Sequence, residues 1–70
     1  MPNLTARYFP GYMPRLRVQR AGVWRVISVY YPTAPGKPLR VWEAGRCLGE
    51  FATLDAALAF VDSTLQPAAA

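Results

Sequence analysis

Residues 39–65 leave this chain few choices. They read LRVWEAGRCLGEF and then ATLDAALAFVDSTL. The first part alternates on both sides of Ala44-Gly45; the second repeats its apolar residues at helical spacing. A period of two running into a period near 3.6 means a β-hairpin followed by an amphipathic helix. Leu54, Leu58, Val61 and Leu65 share one helical face, and Ala57 and Phe60 widen it. Thr53 stands where an N-cap belongs, and Asp55 falls in the first turn, where a carboxylate favours the helix dipole. Ala56 occupies the third position after the cap, so the reciprocal capping box is absent. Pro67 ends the helix, and residues 67–70 are expected to fray.

Upstream, LRVQRAG at 16–22 echoes LRVWEAG at 39–45. Both read as a strand entering a glycine-containing turn, which argues for two successive hairpins rather than a duplication. The first hairpin pairs Arg15–Arg20 with residues 23–31. A two-residue turn would set Val18 opposite Arg25. A three-residue loop sets Val18 opposite Val26 and Arg20 opposite Trp24, and consistent faces favour it. One face then holds Leu16, Val18, Trp24, Val26 and Tyr30. The other holds Arg15, Arg17, Gln19, Arg25, Ile27, Val29 and Tyr31. Residues 32–38, PTAPGKP, are a connection, since three prolines forbid a ladder. Within residues 1–14, Leu4–Phe9 reads as a candidate edge strand. Tyr8, Phe9, Tyr12 and Met13 are expected to pack, with Ile27 and Val29 as their site. The expected fold is α+β: an antiparallel four-stranded β-meander with one C-terminal α-helix packed on one face. Residues 15–66 form that single domain.

Seventy residues make one domain with one thin core, burying about 60% of the unfolded surface. An apolar content of 53% is too high for a disordered chain. No apolar run approaches the roughly 18–20 residues of a membrane span. The proline-broken start lacks the apolar stretch of a secretory signal. The single cysteine, Cys47, has no internal partner, which points to a reducing, cytoplasmic compartment.

Charge is divided unevenly along the chain. Residues 1–42 carry seven cations and no acid, whereas residues 43–70 carry all four acids and only Arg46. Seven of the eight cations are arginines, whose planar fork suits phosphate and carboxylate. A basic half points to an anionic partner, nucleic acid first. An ordinary solvated surface is the other reading of the same pattern.

Catalytic groupings are missing from the sequence. There is no histidine, the commonest general base and metal ligand. One cysteine makes no zinc set. Asp55 and Asp62 lie seven apart, and Glu43 and Glu50 flank a hairpin, so no carboxylate pair forms. Ser28 and Ser63 have no base to activate them. Cys47 reads as a small hydrophobe of the core rather than a nucleophile. The chain is therefore expected to be a non-enzyme without a cofactor or metal.

The residues that can carry function are those of the arginine-rich hairpin. Arg15, Arg17, Arg25 and Tyr31 share one expected face, with Arg40 and Trp42 on the same alternation phase in the next strand. Cations beside aromatics on an open sheet can meet phosphates, reach base edges, or stack on unpaired bases. The alternative is that the aromatics are core and the arginines merely solvated.

Two families are similar in part. Arg17-x-x-x-x-Gly22-x-Trp24 with Leu48-Gly49-x-Phe51-x-Thr53-x-Asp55-x-Ala57 resembles AP2-type and phage-integrase arm-type DNA-binding domains over residues 15–62. That resemblance implies a three-stranded sheet followed by one helix, with the sheet face away from the helix entering the DNA major groove. It carries over Arg17 and Trp24; Arg25 and Arg40 come from alternation alone. The strand Leu39–Glu43 and the proline-rich connection depart from the pattern. In size and layout, with Gly11-Tyr12-Met13-Pro14 before a strand, the chain also resembles small phage anti-CRISPR inhibitors. The expected function is a phage or mobile-element binding module whose basic sheet face takes DNA or a nucleoprotein complex. The alternative is an inhibitor that blocks a host complex through protein–protein contacts. An edge at Arg15–Arg20 or Leu39–Glu43 could also pair with a second copy, giving a homodimer; no membrane partner is expected.

Overall fold

The computed structural model describes residues 4–66. Five strands run β1 (Leu4–Phe9), β2 (Arg15–Arg20), β3 (Val26–Tyr30), β4 (Leu39–Glu43) and β5 (Arg46–Phe51), followed by helix α1 (Leu54–Thr64). They form one antiparallel meander in chain order, with α1 against β3, β4 and β5. The α+β class and the C-terminal helix match expectation. The sheet has five strands rather than four, because Leu4–Phe9 pairs along its whole length with β2. The expected fraying of residues 67–70 lies outside the described residues.

The core is one layer thick. Val18, Ile27, Val29, Leu39 and Val41 face Ala57, Val61 and Leu65, all buried. Leu54, Leu58, Phe51 and Phe60 close its margin, with the two phenylalanine rings 5.1 Å apart. Burying a side chain such as Ile27 or Leu65 contributes roughly 1.5–3 kcal/mol. Thr53 caps the helix as expected: its Oγ1 accepts from the Ala56 N–H at 3.2 Å. Such a cap contributes about 1 kcal/mol.

The first hairpin corrects the expected register. Val18 pairs with Ile27, not Val26, and Leu16 pairs with Val29. The Val23 N–H donates to the Arg20 carbonyl at 3.1 Å, closing a turn, and β3 begins only at Val26. The loop therefore spans residues 21–25, and Trp24 lies in it, 97% exposed. Side chains alternate strictly along a strand, so the one-residue change moves every β3 side chain to the other face. Ile27 and Val29 go to the helix side; Val26, Ser28 and Tyr30 go to the open side. The strand resists prediction because VISVYY is largely apolar in both phases, with Ser28 its one polar residue.

Two other expectations are corrected. Tyr8, Phe9, Tyr12 and Met13 do not cover Ile27 and Val29, which already lie in the core. Instead Tyr8 meets Tyr31 edge-on at 5.8 Å, while Tyr12 and Met13 stand exposed in the β1–β2 turn. The strands Arg15–Arg20 and Leu39–Glu43 are interior; the open edges are β1 and β5.

The second hairpin turns where expected, at Ala44-Gly45, with Glu43 opposite Arg46. Both turn residues have positive φ, 51° and 78°. That is the type I′ pattern, which suits asparagine followed by glycine and strains alanine. Ala44→Asn should therefore raise stability by roughly 0.5–1 kcal/mol. In urea the midpoint should move up at unchanged slope. A lower midpoint would contradict this turn.

Candidate nucleic-acid interface

On the face of the sheet away from α1, two rows of side chains cross all five strands, and a shorter row of Thr5, Gln19 and Val26 crosses β1 to β3. Phe9, Arg15, Tyr30, Arg40 and Glu50 stand opposite one another across the five strands. Beside them run Arg7, Arg17, Ser28, Trp42 and Cys47. Each of the two long rows spans four strand spacings, about 19 Å, and they lie about 7 Å apart.

One end of this face concentrates charge. The guanidiniums of Arg7, Arg15 and Arg17 lie 5.1, 5.3 and 5.4 Å from the centre of the Phe9 ring. Arg15 also approaches the Tyr30 ring at 5.9 Å and donates to the Met13 carbonyl at 3.3 Å. No two of these cations can be further apart than about 11 Å, close to the Debye length of ~10 Å at 0.1 M salt. Arg7 and Arg17 are direct cross-strand partners, an arrangement that is destabilising for like charges. Among the described residues none of the three is paired with a carboxylate. The Phe9 ring holds them together, since each contact to its face contributes about 0.5–1 kcal/mol at an exposed site. An anion placed among the three guanidiniums would relieve the repulsion.

Of the six expected site residues, the fold brings Arg15, Arg17, Arg40 and Trp42 onto this face. Arg40 is joined to Glu50 across strands at 3.1 Å. Arg25 and Tyr31 go elsewhere. Tyr31 packs at the margin of the core against Tyr8. Arg25 forks onto Glu43, with Nε and Nη2 at 2.8 and 2.6 Å from its two oxygens, and donates to the Thr64 carbonyl at 3.1 Å. It ties the β2–β3 loop to β4 and to the end of α1. Arg20 reaches the same helix end through an ion pair with Asp62. The helix has no cation in its own last turn, so these two arginines place positive charge at its negative pole.

The unexpected members of the face are Arg7, Phe9 and Tyr30. Arg7 and Phe9 alternate with Leu4, Ala6 and Tyr8, a signal present in LTARYF once β1 is taken as a full strand. Tyr30 follows from the corrected register. Cys47 is exposed on the edge strand rather than buried in the core, with its Sγ 3.7 Å from the Gly49 carbonyl. Among the described residues no three Asp, Glu, His or Cys side chains gather as a metal set. Among the described residues no helix is long and apolar enough to cross a membrane.

The Arg25 hydrogen bonds hold the Glu43 carboxyl below its ordinary value of 4.5, and raise Arg25 in turn. A carboxylate depressed in the folded state stabilises fully above its unfolded value and loses that contribution as pH falls through the folded one. Thermal melts between neutrality and about pH 3 should show a steeper acid loss in the native chain than in Glu43→Gln. Superimposable acid limbs would remove Glu43 from the account. In comparisons with known proteins, no family model, no curated protein and no solved structure matched the chain.

Proposed function

We propose that this chain is a non-catalytic module that binds nucleic acid on the open face of its sheet. The observation that carries the reading is the set of three guanidiniums, Arg7, Arg15 and Arg17, around Phe9 with no carboxylate among them. A phosphate backbone supplies the missing charge at regular spacing, and planar guanidiniums bind its oxygens by paired donors. The resemblance to AP2-type and integrase arm-type domains supports the same face, because it assigns contact to the side of the sheet away from the helix. Arg17 is the matched residue that stands there. Trp24, the other match, lies in the β2–β3 loop, so the reading rests on the arginines and not on that tryptophan.

Fluorescence anisotropy of labelled DNA at increasing salt tests this. Three phosphate contacts give a slope of log affinity against log salt of about −2.7 on duplex, or about −2 on a single strand. Arg7→Ala or Arg17→Ala should each reduce that slope by about one contact. Arg25→Ala should leave the slope unchanged, although it loosens the fold. Absence of binding at about 50 mM salt, where such contacts are strong, would end the proposal.

A protein partner is the second reading, favoured by Trp24 and Tyr12, which stand 97% and 98% exposed. Large aromatics so exposed are typical anchors of interfaces. An inhibitor of a host complex, of anti-CRISPR type, would use them. Such a partner should be recovered with the native chain after nuclease digestion and lost with Trp24→Ala. Recovery that disappears with nuclease would sink this reading.

A further inference from the structure

Beyond the arginine cluster, the same face runs into a pocket of about 480 Å³ between the sheet and the 32–38 connection. Its walls include Tyr30, Trp42, Pro32 and Pro38, and its cations are Lys37 and Arg40. We propose that this pocket takes one unstacked base of a single-stranded nucleic acid, with the adjoining phosphates on Lys37 and Arg40. The inference rests on the nucleic-acid reading above and narrows it to single strands.

Three observations lead there. The pocket has the size of a small-molecule site, where about 300–1,000 Å³ is usual. Its walls are aromatic and apolar while its charge is only positive, which suits a planar group carried on an anionic chain. Tyr30 and Trp42 are diagonal neighbours, since Tyr30 opposes Arg40 and Ser28 opposes Trp42. Diagonal neighbours in a sheet are roughly 7–8 Å apart, about twice the 3.4 Å repeat of stacked bases.

The wall opposite the sheet is also formed in advance. Ala34-Pro35-Gly36-Lys37 closes a turn in which the Lys37 N–H donates to the Ala34 carbonyl at 3.3 Å. Gly36 has φ 79°, as a type II turn needs at its third position, and Pro35 presets the second. That turn sets where Lys37 starts. Arg40 is steadied by Glu50, 3.1 Å from its Nε.

Continuity supplies the remaining argument. The Arg15 guanidinium lies over both the Phe9 ring of the cluster and the Tyr30 ring of the pocket wall, so one side chain bridges the two. Phe9 and Tyr30 stand two strand spacings apart, about 10 Å. A flexible strand can lay phosphates over the arginines and drop a base into the pocket. A duplex keeps its bases stacked inside and can offer the pocket none without paying to flip one out.

The experiment uses the full chain carrying Trp24→Phe, so that Trp42 is the sole tryptophan. Its emission is followed while a short oligothymidylate, or a duplex of matched length, is added at low salt. The expected result is quenching by oligothymidylate and an affinity at least about tenfold above that for the duplex. Tyr30→Leu should weaken oligothymidylate about tenfold and change duplex affinity less than twofold. Lys37→Ala, on an exposed loop, should weaken oligothymidylate and lower its salt slope by about 0.7, which keeps the test decisive should Tyr30→Leu not fold. Equal affinity for both probes with unchanged Trp42 emission would overturn the base pocket and leave the basic-face reading standing. No binding of either probe would overturn both.

Discussion

The structure depends on a single layer of apolar contact between one face of the sheet and one helix. Val18, Ile27, Val29 and Val41 come from three strands, and Ala57, Val61 and Leu65 cover them. A chain of this length cannot build a second layer, so it has no other place for these groups. Because strand side chains alternate, choosing the face for the valines also chooses the face for everything between them. Arg15, Arg17, Tyr30, Arg40 and Trp42 share the far side because Leu16, Val18, Val29 and Val41 share the near one. The make-up of the open face is in that sense a consequence of the core.

Ionic contacts then divide the arginines into two groups. Arg20 and Arg25 leave the basic half of the sequence and meet Asp62 and Glu43 from the acidic half, anchoring the end of the helix. Arg40 is steadied by Glu50. Arg7, Arg15 and Arg17 share an aromatic ring instead of an acid. A cluster of like charge held in place by cation–π contacts is poorly neutralised, and that is the property an anion-binding surface requires. The uneven charge along the chain thus has two consequences: three of the four acids tie down the fold, and three arginines left without an acid lie together on one face.

Some of this was legible in the sequence. The second hairpin and the helix, with Thr53 as cap and Ala44-Gly45 as turn, follow from short-range pattern and hold in the structure. Alternation along the strands places Arg15, Arg17, Arg40 and Trp42 together, and they share a face. Alternation puts Arg25 and Tyr31 on that face too, and the structure does not, because VISVYY, with Ser28 its one polar residue, is apolar enough to run in either phase. The loop before it, AGVWR, contains strand-forming residues that the chain leaves outside the strand. The sequence offers Leu4–Phe9 as a strand with its observed bounds, but Phe9 reads there as a packing residue and Arg7 only as part of the basic half; their place on the open face follows from the pairing of β1 with β2.

The sequence by itself determined the kinds of element, most of their bounds, the absence of histidine, and the segregation of charge. These depend on residues close together in the chain, where periodicity and capping act. Only the tertiary structure decided the phase of β3, the completion of the sheet by β1, and which arginines lost their freedom to acids. Those outcomes depend on contacts between residues distant in sequence, such as Val18 with Ile27 or Arg25 with Glu43. The energy that selects among them is the burial of one shared apolar layer, which does not exist until the helix lies on the sheet.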